Sequence, residues 1–315
     1  MDWRAEVFSR CFAELIEKHA DPQASKPNPI ANRCKMILVT GAGGKIGATL
    51  IKLLNGASFR GAYNSPEKLV AARDRGLDAV HIDYARPETL EAALHGMDTV
   101  FLLSAGPGYV HLERNMVDAA KTVGIKRIVK LSAWQADKEP YTIAADHRAI
   151  ERVIEASGIA WTFLRPNGFM QNYLGDAATI KTQNAFYRQA MDNSVSFIDA
   201  RDIALAAFKA LTTSGRDGKA YELSGPESLT NLDTANILAR VLGKPITYVP
   251  VPAKVARAGM QAAGLPTDRI DSIENLMGAY ETGIGAPVTP DLEGLIGRRA
   301  ISFEQFVRDH IAAFQ

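Results

Sequence analysis

The stretch ILVTGAGGKIGATL, residues 37–50, decides the fold of this chain. A short apolar run passes through a glycine-rich turn into a segment with helical spacing. A dinucleotide pyrophosphate must approach backbone N–H groups at the start of a helix, where the helix dipole favours anions and a Cβ atom would block it. The stretch therefore predicts dinucleotide binding, in preference to glycines that serve only a tight turn. The residues assigned to this binding turn are Gly41, Gly43, Gly44, Lys45, Ile46 and Gly47.

Strand and helix patterns alternate along the chain around this stretch. The runs that predict strands are MILVT, FRGAYN, DAVHID, TVFLLS, RIVKLSA, WTFLRP and YELSG. Helical patterns such as PETLEAAL separate most of them. This alternation predicts an α/β fold of the doubly wound, Rossmann type, in which helices cover both faces of a parallel sheet. After Val251 the pattern is mostly helical, which indicates a smaller, mostly helical C-terminal substrate lobe.

The chain divides into three predicted parts. Residues 1–35 combine an amphipathic helix pattern with a Pro-rich linker, and packing is favoured over regulation as its role. Residues 36–166 form the dinucleotide-binding core, which later strands near 195–225 are expected to join. Residues 167–315 form mainly the substrate-binding lobe, which is therefore discontinuous in sequence.

Capping residues predict several helix boundaries. Thr230 or Asn231 can cap a helix that Gly243 ends. Asp199 and Asp202 stand at the start of IALAAFKAL, and we interpret them as helix-start caps in preference to catalytic residues.

Composition narrows the class of protein. The chain has 315 residues, 23% charged and 47% hydrophobic, with a formal net charge of +1. These values are close to a globular average and give no sign of a nucleic-acid or membrane partner. Cys11 and Cys34 form neither a spaced disulfide framework nor a metal site. We expect a reduced, cytoplasmic protein that acts on a small molecule, and a homodimer is left open.

The end of the second predicted strand bears on the choice of dinucleotide. An NAD site usually carries a carboxylate there that binds the ribose 2′-hydroxyl. This chain has Asn64 and Ser65 at that place, and neither repels a 2′-phosphate. Lys45, Arg60 or Lys68 could attract one, although each also reads as a solvated surface residue. The pattern favours NADP(H) over NAD(H).

Several motifs together resemble a known family. They are TGAGGKIG, HIDYARPETL, FLLSAGPG, TFLRPNGFMQN, FIDARDIA, YELSGPESLT and the terminal TPDLEGLIGRR with SFEQFV. From about Met36 to Phe314 the chain is similar to the NmrA-like group of atypical short-chain dehydrogenases, especially triphenylmethane reductases and NAD(P)H quinone or azo reductases. The resemblance implies a Rossmann fold and an NAD(P)H-dependent oxidoreductase.

The resemblance also implies roles for individual positions. It implies that Gly41, Gly44 and Gly47 hold the pyrophosphate and that Asp83 lies by the adenine. Asp83 could instead cap the turn before PETLEAAL. The resemblance implies that the ribose and nicotinamide side of the cofactor is lined by Leu103, Ser104, Ala105 and Gly106. Asn167 and Phe169 would border the nicotinamide and the substrate. Family members often have an Arg at the position of Asn64. Apolar lining candidates, each of which could equally be core, are Phe169, Met170, Tyr173, Met260, Met277 and Tyr280.

The stretch AADHRAIERV, residues 144–153, carries the catalytic hypothesis. Conventional short-chain dehydrogenases place a Tyr there and a Lys four residues later, whereas this chain has His147 and Glu151. An imidazole titrates near neutrality and could protonate a reduced acceptor, with Glu151 fixing its tautomer and Ser132 as a second polar group. Packing is the alternative role for His147. Metal binding needs further ligands that no recognisable spacing supplies.

The missing Tyr–Lys pair indicates the kind of substrate. A quinone, azo compound, imine or triarylmethyl cation carries its own electron sink and accepts hydride without loss of a proton. We therefore expect an NAD(P)H-dependent reductase of planar, electron-poor acceptors. The alternative is a non-catalytic, NAD(P)-sensing regulator of the NmrA type, for which the N-terminal helix pattern is the only local support.

Overall fold

The computed structural model describes residues 36–104 and 108–315, and its central feature is a parallel sheet. The strands are β1 (Ile37–Val39), β2 (Phe59–Tyr63), β3 (Ala79–His81), β4 (Thr99–Leu102), β5 (Arg127–Leu131), β6 (Ala160–Pro166), β7 (Ala185–Gln189), β8 (Lys219–Leu223) and β9 (Thr247–Val251). Seven of them form one sheet in the order β3-β2-β1-β4-β5-β6-β8, and every neighbouring pair is parallel. The predicted doubly wound α/β fold is confirmed.

Helices cover both faces of this sheet. The helices of the described residues are α1 (Lys45–Leu53), α2 (Pro66–Asp74), α3 (Pro87–Leu94), α4 (Tyr109–Val123), α5 (Thr142–Ala156), α6 (Ala177–Gln183), α7 (Ala200–Thr212), α8 (Asn231–Leu242), α9 (Ala253–Ala262), α10 (Thr267–Tyr280), α11 (Asp291–Ile296), α12 (Phe303–Asp309) and α13 (Ile311–Phe314). Helices α1, α2 and α7 share one apolar core with the sheet, and α3, α4 and α5 share the other. Strand side chains alternate between the cores: Ile37 and Val39 pack on one face and Leu38 on the other.

The predicted helix caps are found with one exception. The Thr230 hydroxyl and the Asp233 carboxylate form a capping box at the start of α8, and Gly243 ends that helix with a φ of +67°. Asp199 caps α7 by accepting the N–H of Arg201. The interpretation of Asp202 as a cap is wrong, because its buried carboxylate accepts the backbone N–H of Ile301, from a segment far along the chain.

A second, two-stranded parallel sheet, formed by β7 and β9, lies in the C-terminal part of the chain. These strands were not predicted. Around them the aromatic side chains of Tyr173, Phe186, Phe303 and Phe306 form a third core. Of the residues near 195–225, β8 joins the main sheet, whereas Val195 and Ile198 form only isolated bridges. The predicted helix and linker of residues 1–35 lie outside the described residues.

Within 36–104 and 108–315, no helix has both the length and the hydropathy that crossing a bilayer requires.

Candidate active site

The glycine turn between β1 and α1 forms a cradle that side chains would fill. Gly41 has a φ of +61°, and the N–H of Gly44 donates to its carbonyl at 2.9 Å. A Cβ on Gly47 would lie 2.2 Å from the Gly41 carbonyl oxygen, so α1 can pack this closely only with glycine there. Gly44 caps α1 without a side-chain hydrogen bond, which leaves the first backbone amides of the helix available. These features fit a pyrophosphate at the helix start.

A cleft of about 500 Å³ opens beside this cradle. It is lined by Gly41, Gly43, Gly44, Ala62, Tyr63, Asn64, Ser65, Lys68, His81, Ile82, Asp83, Tyr84, Leu103, Ser104 and Leu112. The cleft runs past the carboxyl ends of β1 to β4, where the order of the strands reverses and doubly wound folds bind nucleotides. Of the predicted cofactor residues, those that line it are Gly41, Gly43, Gly44, Asn64, Asp83, Leu103 and Ser104.

The remaining predicted cofactor residues have other surroundings. Ile46 and Gly47 are buried against the sheet, and Lys45 is exposed at the start of α1. Asp83 faces the cleft and also accepts the N–H of Ala85 at 2.9 Å. It therefore caps the turn before α3, which was the alternative role predicted for it. Ala105 and Gly106 lie outside the described residues.

Two of the residues that were predicted to attract a 2′-phosphate, Lys68 and Arg60, have different partners near the end of β2. The Nζ of Lys68 donates to the carbonyl of Gly43 at 3.2 Å, and the side chain lines the cleft. Arg60, by contrast, is held by both carboxylate oxygens of Asp78 at 3.1 Å. Lys68 is therefore the predicted phosphate-attracting residue that the structure brings to the cleft.

Asn167 is held in place by the protein itself. Its Nδ2 donates to Ser196 at 2.9 Å and to the Gly285 carbonyl at 2.8 Å. Its Oδ1 accepts the N–H of Gly168 and the hydroxyl of Tyr280. An asparagine amide has two donor hydrogens and two acceptor sites, so none is left for a ligand. Asn167 joins the end of β6 to two distant segments, and the expectation of a ligand contact receives no support from its hydrogen bonds.

The apolar and aromatic residues that follow Asn167 in the chain, which were candidates for the lining of the substrate site, mostly belong to the core. Phe169 is partly buried against the sheet core, and Met170 and Tyr173 are completely buried. The core alternative therefore holds for Met170 and Tyr173.

His147 lies on α5 with its ring packed against Tyr109, at 5.0 Å between ring centroids. Its Nδ1 is buried and has no hydrogen-bond partner among the described residues. Burial lowers the pKa of His147 well below its usual value near 6.5, and the positive charge of Lys130 lowers it further. The imidazole is therefore neutral at physiological pH, and the expectation that it titrates near neutrality is wrong.

Glu151 does not orient His147, which corrects the second part of the catalytic hypothesis. Its fully buried carboxylate accepts the hydroxyl of Ser132 at 2.7 Å and two N–H groups of Arg165 at 2.7 and 2.9 Å. Arg148 donates to it as well, at 3.1 Å. Glu151 lies four residues after His147 on α5, but its carboxylate binds the guanidinium of Arg165, at the end of β6. Ser132 is occupied by the same carboxylate.

The Arg165 guanidinium extends this network across the sheet. It also donates to Glu222 of β8 at 3.0 Å and to Asp137 at 2.9 Å. Burial raises the pKa of Glu222, while its bond from the Gln135 N–H opposes that effect. The network fixes the turn after β5 relative to β6 and β8.

A second buried ion pair lies closer to the cleft. The Nζ of Lys130 donates to Glu113 at 2.5 Å, and the hydroxyl of Ser104 donates to the other oxygen of that carboxylate at 2.8 Å. Lys130 and Glu113 were both missed by sequence reasoning. A signal existed, because a lysine inside a strand of a sheet covered on both faces must be buried and paired.

Comparison with known proteins identifies the family. The profile described as NAD(P)H-binding matches residues 41–214, more than half of the chain, and this range includes the glycine cradle and the cleft. The chain belongs to this family. Among residues 36–104 and 108–315 of this NAD(P)H-binding protein, no group of three or more His, Cys, Asp or Glu side chains could hold a metal ion.

Relatives of this NAD(P)H-binding protein cover almost its whole length. It is 34% identical to the NAD(P)H azoreductase of Xenophilus azovorans, over 89% of this chain and 99% of the relative. An NADPH-dependent quinone oxidoreductase of Escherichia coli, solved with NADPH, superposes with a TM-score of 0.80 at 28% identity and covers 88% of this chain and 100% of its own. The triphenylmethane reductase of Citrobacter sp., solved with NADP(H), gives 0.79 at 28% identity, with 87% and 99% covered.

These matches confirm the resemblance to azo, quinone and triphenylmethane reductases. With the cradle and the cleft, they make this NAD(P)H-binding protein an NAD(P)H-dependent reductase. The structure brings the glycine turn, Asn64, Asp83, Leu103 and Ser104 together at one cleft. It separates Ser132 and Glu151 from His147 in hydrogen bonding.

Proposed function

We propose that the protein transfers hydride from NADPH to planar, electron-poor acceptors such as quinones, azo compounds, imines or triarylmethane dyes. The observation that carries the proposal is the environment of His147 and Glu151. The first is held neutral by burial and by Lys130, and the second is bound to Arg165. Neither can serve as the Tyr–Lys pair that takes a proton from an alcohol, so acceptors with their own electron sink suit the site.

NADPH is the proposed cofactor in preference to NADH. The cleft has Asn64 and Ser65 at the end of β2, where a carboxylate would bind a ribose 2′-hydroxyl and repel a 2′-phosphate. Lys68 adds a cation within reach of the same end of the cleft. Two relatives solved with NADPH or NADP(H) support this choice.

The residues that would hold this cofactor follow from the geometry of the cradle. The amides at the start of α1, from Lys45 and Ile46, would bind the pyrophosphate, with Gly41, Gly43 and Gly44 leaving room for it. Asp83 and Asn64 would lie along the adenosine, and Leu103 with Ser104 would lie along the nicotinamide ribose. When bound, the reduced nicotinamide supplies the hydride.

The protein side of the chemistry is orientation and exclusion of water. His147 would act as a neutral hydrogen-bond donor to the acceptor atom that gains negative charge. Asn167 would act at a distance, since its four hydrogen bonds hold the segments at Gly285 and Tyr280 against β6. A cytoplasmic location and a homodimer stay predictions, and light scattering after gel filtration tests the second.

A steady-state panel tests this function. Purified protein is assayed with NADPH and with NADH against menadione, an azo dye, an imine and a triphenylmethane dye, by the loss of absorbance of the nicotinamide. We expect turnover with at least one acceptor class and a higher kcat/KM with NADPH. Tight NADPH binding without oxidation across the whole panel would contradict the proposal and favour a sensing role.

A further inference from the structure

Lys130 and Glu113 form an ion pair in a part of the fold that otherwise holds apolar side chains. Lys130 is completely buried in β5 between Val129 and Leu131, and the side chain of Glu113, from α4, is 1% exposed. Removing two charges from water costs free energy, and apolar side chains of similar size often stabilise a core as well or better. The ion pair therefore calls for a role other than stability.

Hydrogen bonds lead from this ion pair to the cofactor cleft. The Nζ of Lys130 donates to one oxygen of the Glu113 carboxylate at 2.5 Å and to the carbonyl of Leu131 at 3.1 Å. The other oxygen of that carboxylate accepts the hydroxyl of Ser104 at 2.8 Å, and Ser104 lines the cleft. The two buried charges are thus connected to the cleft through a single hydroxyl group.

The ion pair determines which kind of hydrogen bond Ser104 can form with a ligand. A serine hydroxyl has one hydrogen to donate and two acceptor sites. That hydrogen is used on Glu113, whose carboxylate, paired with an ammonium, only accepts. Towards the cleft, Ser104 therefore offers an acceptor and no donor.

The backbone in front of Ser104 is fixed as well. The N–H of Leu103 donates to the hydroxyl oxygen of Thr40 at 2.8 Å, and the carbonyl of Leu103 accepts the hydroxyl of Tyr84 at 3.1 Å. Thr40 is buried directly after β1, and Tyr84 lines the cleft. Both the main chain and the side chain of this segment are therefore held by the protein. A group that is already oriented binds a ligand without the cost of ordering it.

The order of the strands places Ser104 on one side of the glycine turn. β1, which leads into that turn, lies between β2 and β4 in the sheet. Asn64 and Lys68, at the proposed adenosine end of the cleft, follow β2, whereas Ser104 follows β4. A dinucleotide with its pyrophosphate at the turn would extend its two nucleosides to opposite sides. Ser104 then lies on the side of the nicotinamide nucleoside.

The parts of a dinucleotide differ in what they offer to a hydrogen-bond acceptor at this place. Phosphate oxygens are anionic and accept hydrogen bonds, so neither Ser104 nor the carboxylate behind it suits them. The nicotinamide nucleoside has donors, in the hydroxyls of its ribose and in the N–H groups of its carboxamide. The chemistry of Ser104 therefore suits this uncharged part of the reduced cofactor.

We propose that Ser104 is a fixed hydrogen-bond acceptor for the nicotinamide nucleoside and that Glu113 and Lys130 are its positioning residues. The inference rests on the proposed function, because it concerns the same cofactor. The donor would be a ribose hydroxyl or the carboxamide. With apolar residues in place of the ion pair, Ser104 would be free to rotate and to turn its hydrogen into the cleft. If the pair were only structural, its loss would damage the whole cleft instead.

Three ligands separate these roles in calorimetric titrations. NADPH carries the whole nicotinamide nucleoside, 2′-phospho-ADP-ribose lacks the nicotinamide ring, and 2′,5′-ADP lacks both the ring and its ribose. We expect S104A to weaken NADPH binding about tenfold and to leave 2′,5′-ADP binding unchanged. A loss with 2′-phospho-ADP-ribose as well assigns the donor to the ribose, and a loss with NADPH alone assigns it to the carboxamide. An equal loss for NADPH and 2′,5′-ADP, or no loss for NADPH, would overturn the inference.

A double-mutant cycle tests the two positioning residues. K130M/E113L replaces both charges together, so neither is left unpaired in the core. D118L/K121M makes the same kind of change at two exposed positions of α4 and is the matched control. We expect S104A to weaken NADPH binding about tenfold in the control and no more than about threefold in K130M/E113L. Equal effects of S104A in both backgrounds would overturn the inference, because the pair would then not act through Ser104.

A more conservative variant replaces K130M/E113L if that protein does not fold. In K130M/E113Q the glutamine amide can both donate to Ser104 and accept from it, so the direction of the hydroxyl is no longer fixed and the same reduced effect of S104A is expected. All these readouts are affinities and do not depend on turnover. A wild-type protein that binds NADPH but reduces no acceptor refutes the proposed function, while the S104A affinities still decide the inference.

Discussion

Replacing Gly47 by alanine tests whether the glycine turn holds the cofactor. The new Cβ would lie 2.2 Å from the Gly41 carbonyl oxygen and 2.9 Å from the Cα of Ala42, so α1 and the turn must separate by about an ångström. Overpacking of this kind costs about 1–3 kcal/mol of stability. The same shift moves the first amides of α1 away from the pyrophosphate.

The expected loss of affinity follows from that movement. A hydrogen bond to a charged group contributes about 1.5–3 kcal/mol, and one lost bond therefore weakens NADPH binding by about 10- to 100-fold. Calorimetric titration gives Kd, and thermal unfolding gives the change in stability. The control is G259A, at an exposed position inside α9 with nothing within 4 Å of the new Cβ. That variant should gain up to about 1 kcal/mol of stability without a change in Kd.

One result would refute the reasoning. If G47A is destabilised while its Kd for NADPH stays within about twofold of the wild-type value, the glycines serve only the packing of α1 on the turn.

Three other predictions test the cofactor preference and the two buried networks. N64D places a carboxylate at the end of β2 and should lower the NADPH-to-NADH ratio of kcat/KM about tenfold by repulsion of the 2′-phosphate, and an unchanged ratio in steady-state assays would contradict this. E151Q removes the buried carboxylate that accepts two N–H groups of Arg165, while Glu222 and Asp137 still pair with that guanidinium, and it should cost about 1.5–3 kcal/mol in urea unfolding. E155Q, in a partly exposed pair on the same helix, should cost under about 1 kcal/mol. His147 has a lowered pKa in the folded state, so the unfolded chain binds the extra proton and stability falls as the pH drops below 6.5, by up to about 1.4 kcal/mol per unit. H147F should remove this dependence and H111F, at an exposed position, should not; equal pH profiles of stability for all three proteins would refute it.

The main sheet could be predicted because each of its strands carries its own local signal. Apolar runs of about five residues, separated by helical patterns, indicate a parallel sheet wherever they occur. β7 and β9 lacked that signal. AFYRQ turns polar after Tyr187, and TYVPV contains Pro250, which argues against a strand unless it lies at an edge. Within the part of the chain that the structure describes, these two strands form a separate two-stranded sheet, across a long separation in sequence.

The cofactor half of the site was more accessible to sequence reasoning than the catalytic half. A glycine cradle is built from consecutive residues, so its spacing is visible in the chain. The partner of Glu151, by contrast, is an arginine on another strand, and the spacing of four residues to His147 suggested a different pair. Sequence order does not show which of several neighbours a buried carboxylate binds, because that depends on how α5 rotates against the sheet.

Direct hydride transfer is the central claim, and single-turnover mixing with NADPH deuterated at C4 tests it most directly. The protein, loaded with this cofactor, is mixed with a triphenylmethane dye while the absorbances of the nicotinamide and the dye are followed together. We predict that both fall with one rate constant and that mass spectrometry finds the deuterium in the reduced dye when the transferred face is labelled. A cofactor that stays bound and reduced while the dye keeps its colour, or a reduced dye without deuterium from either labelled face, would contradict the account.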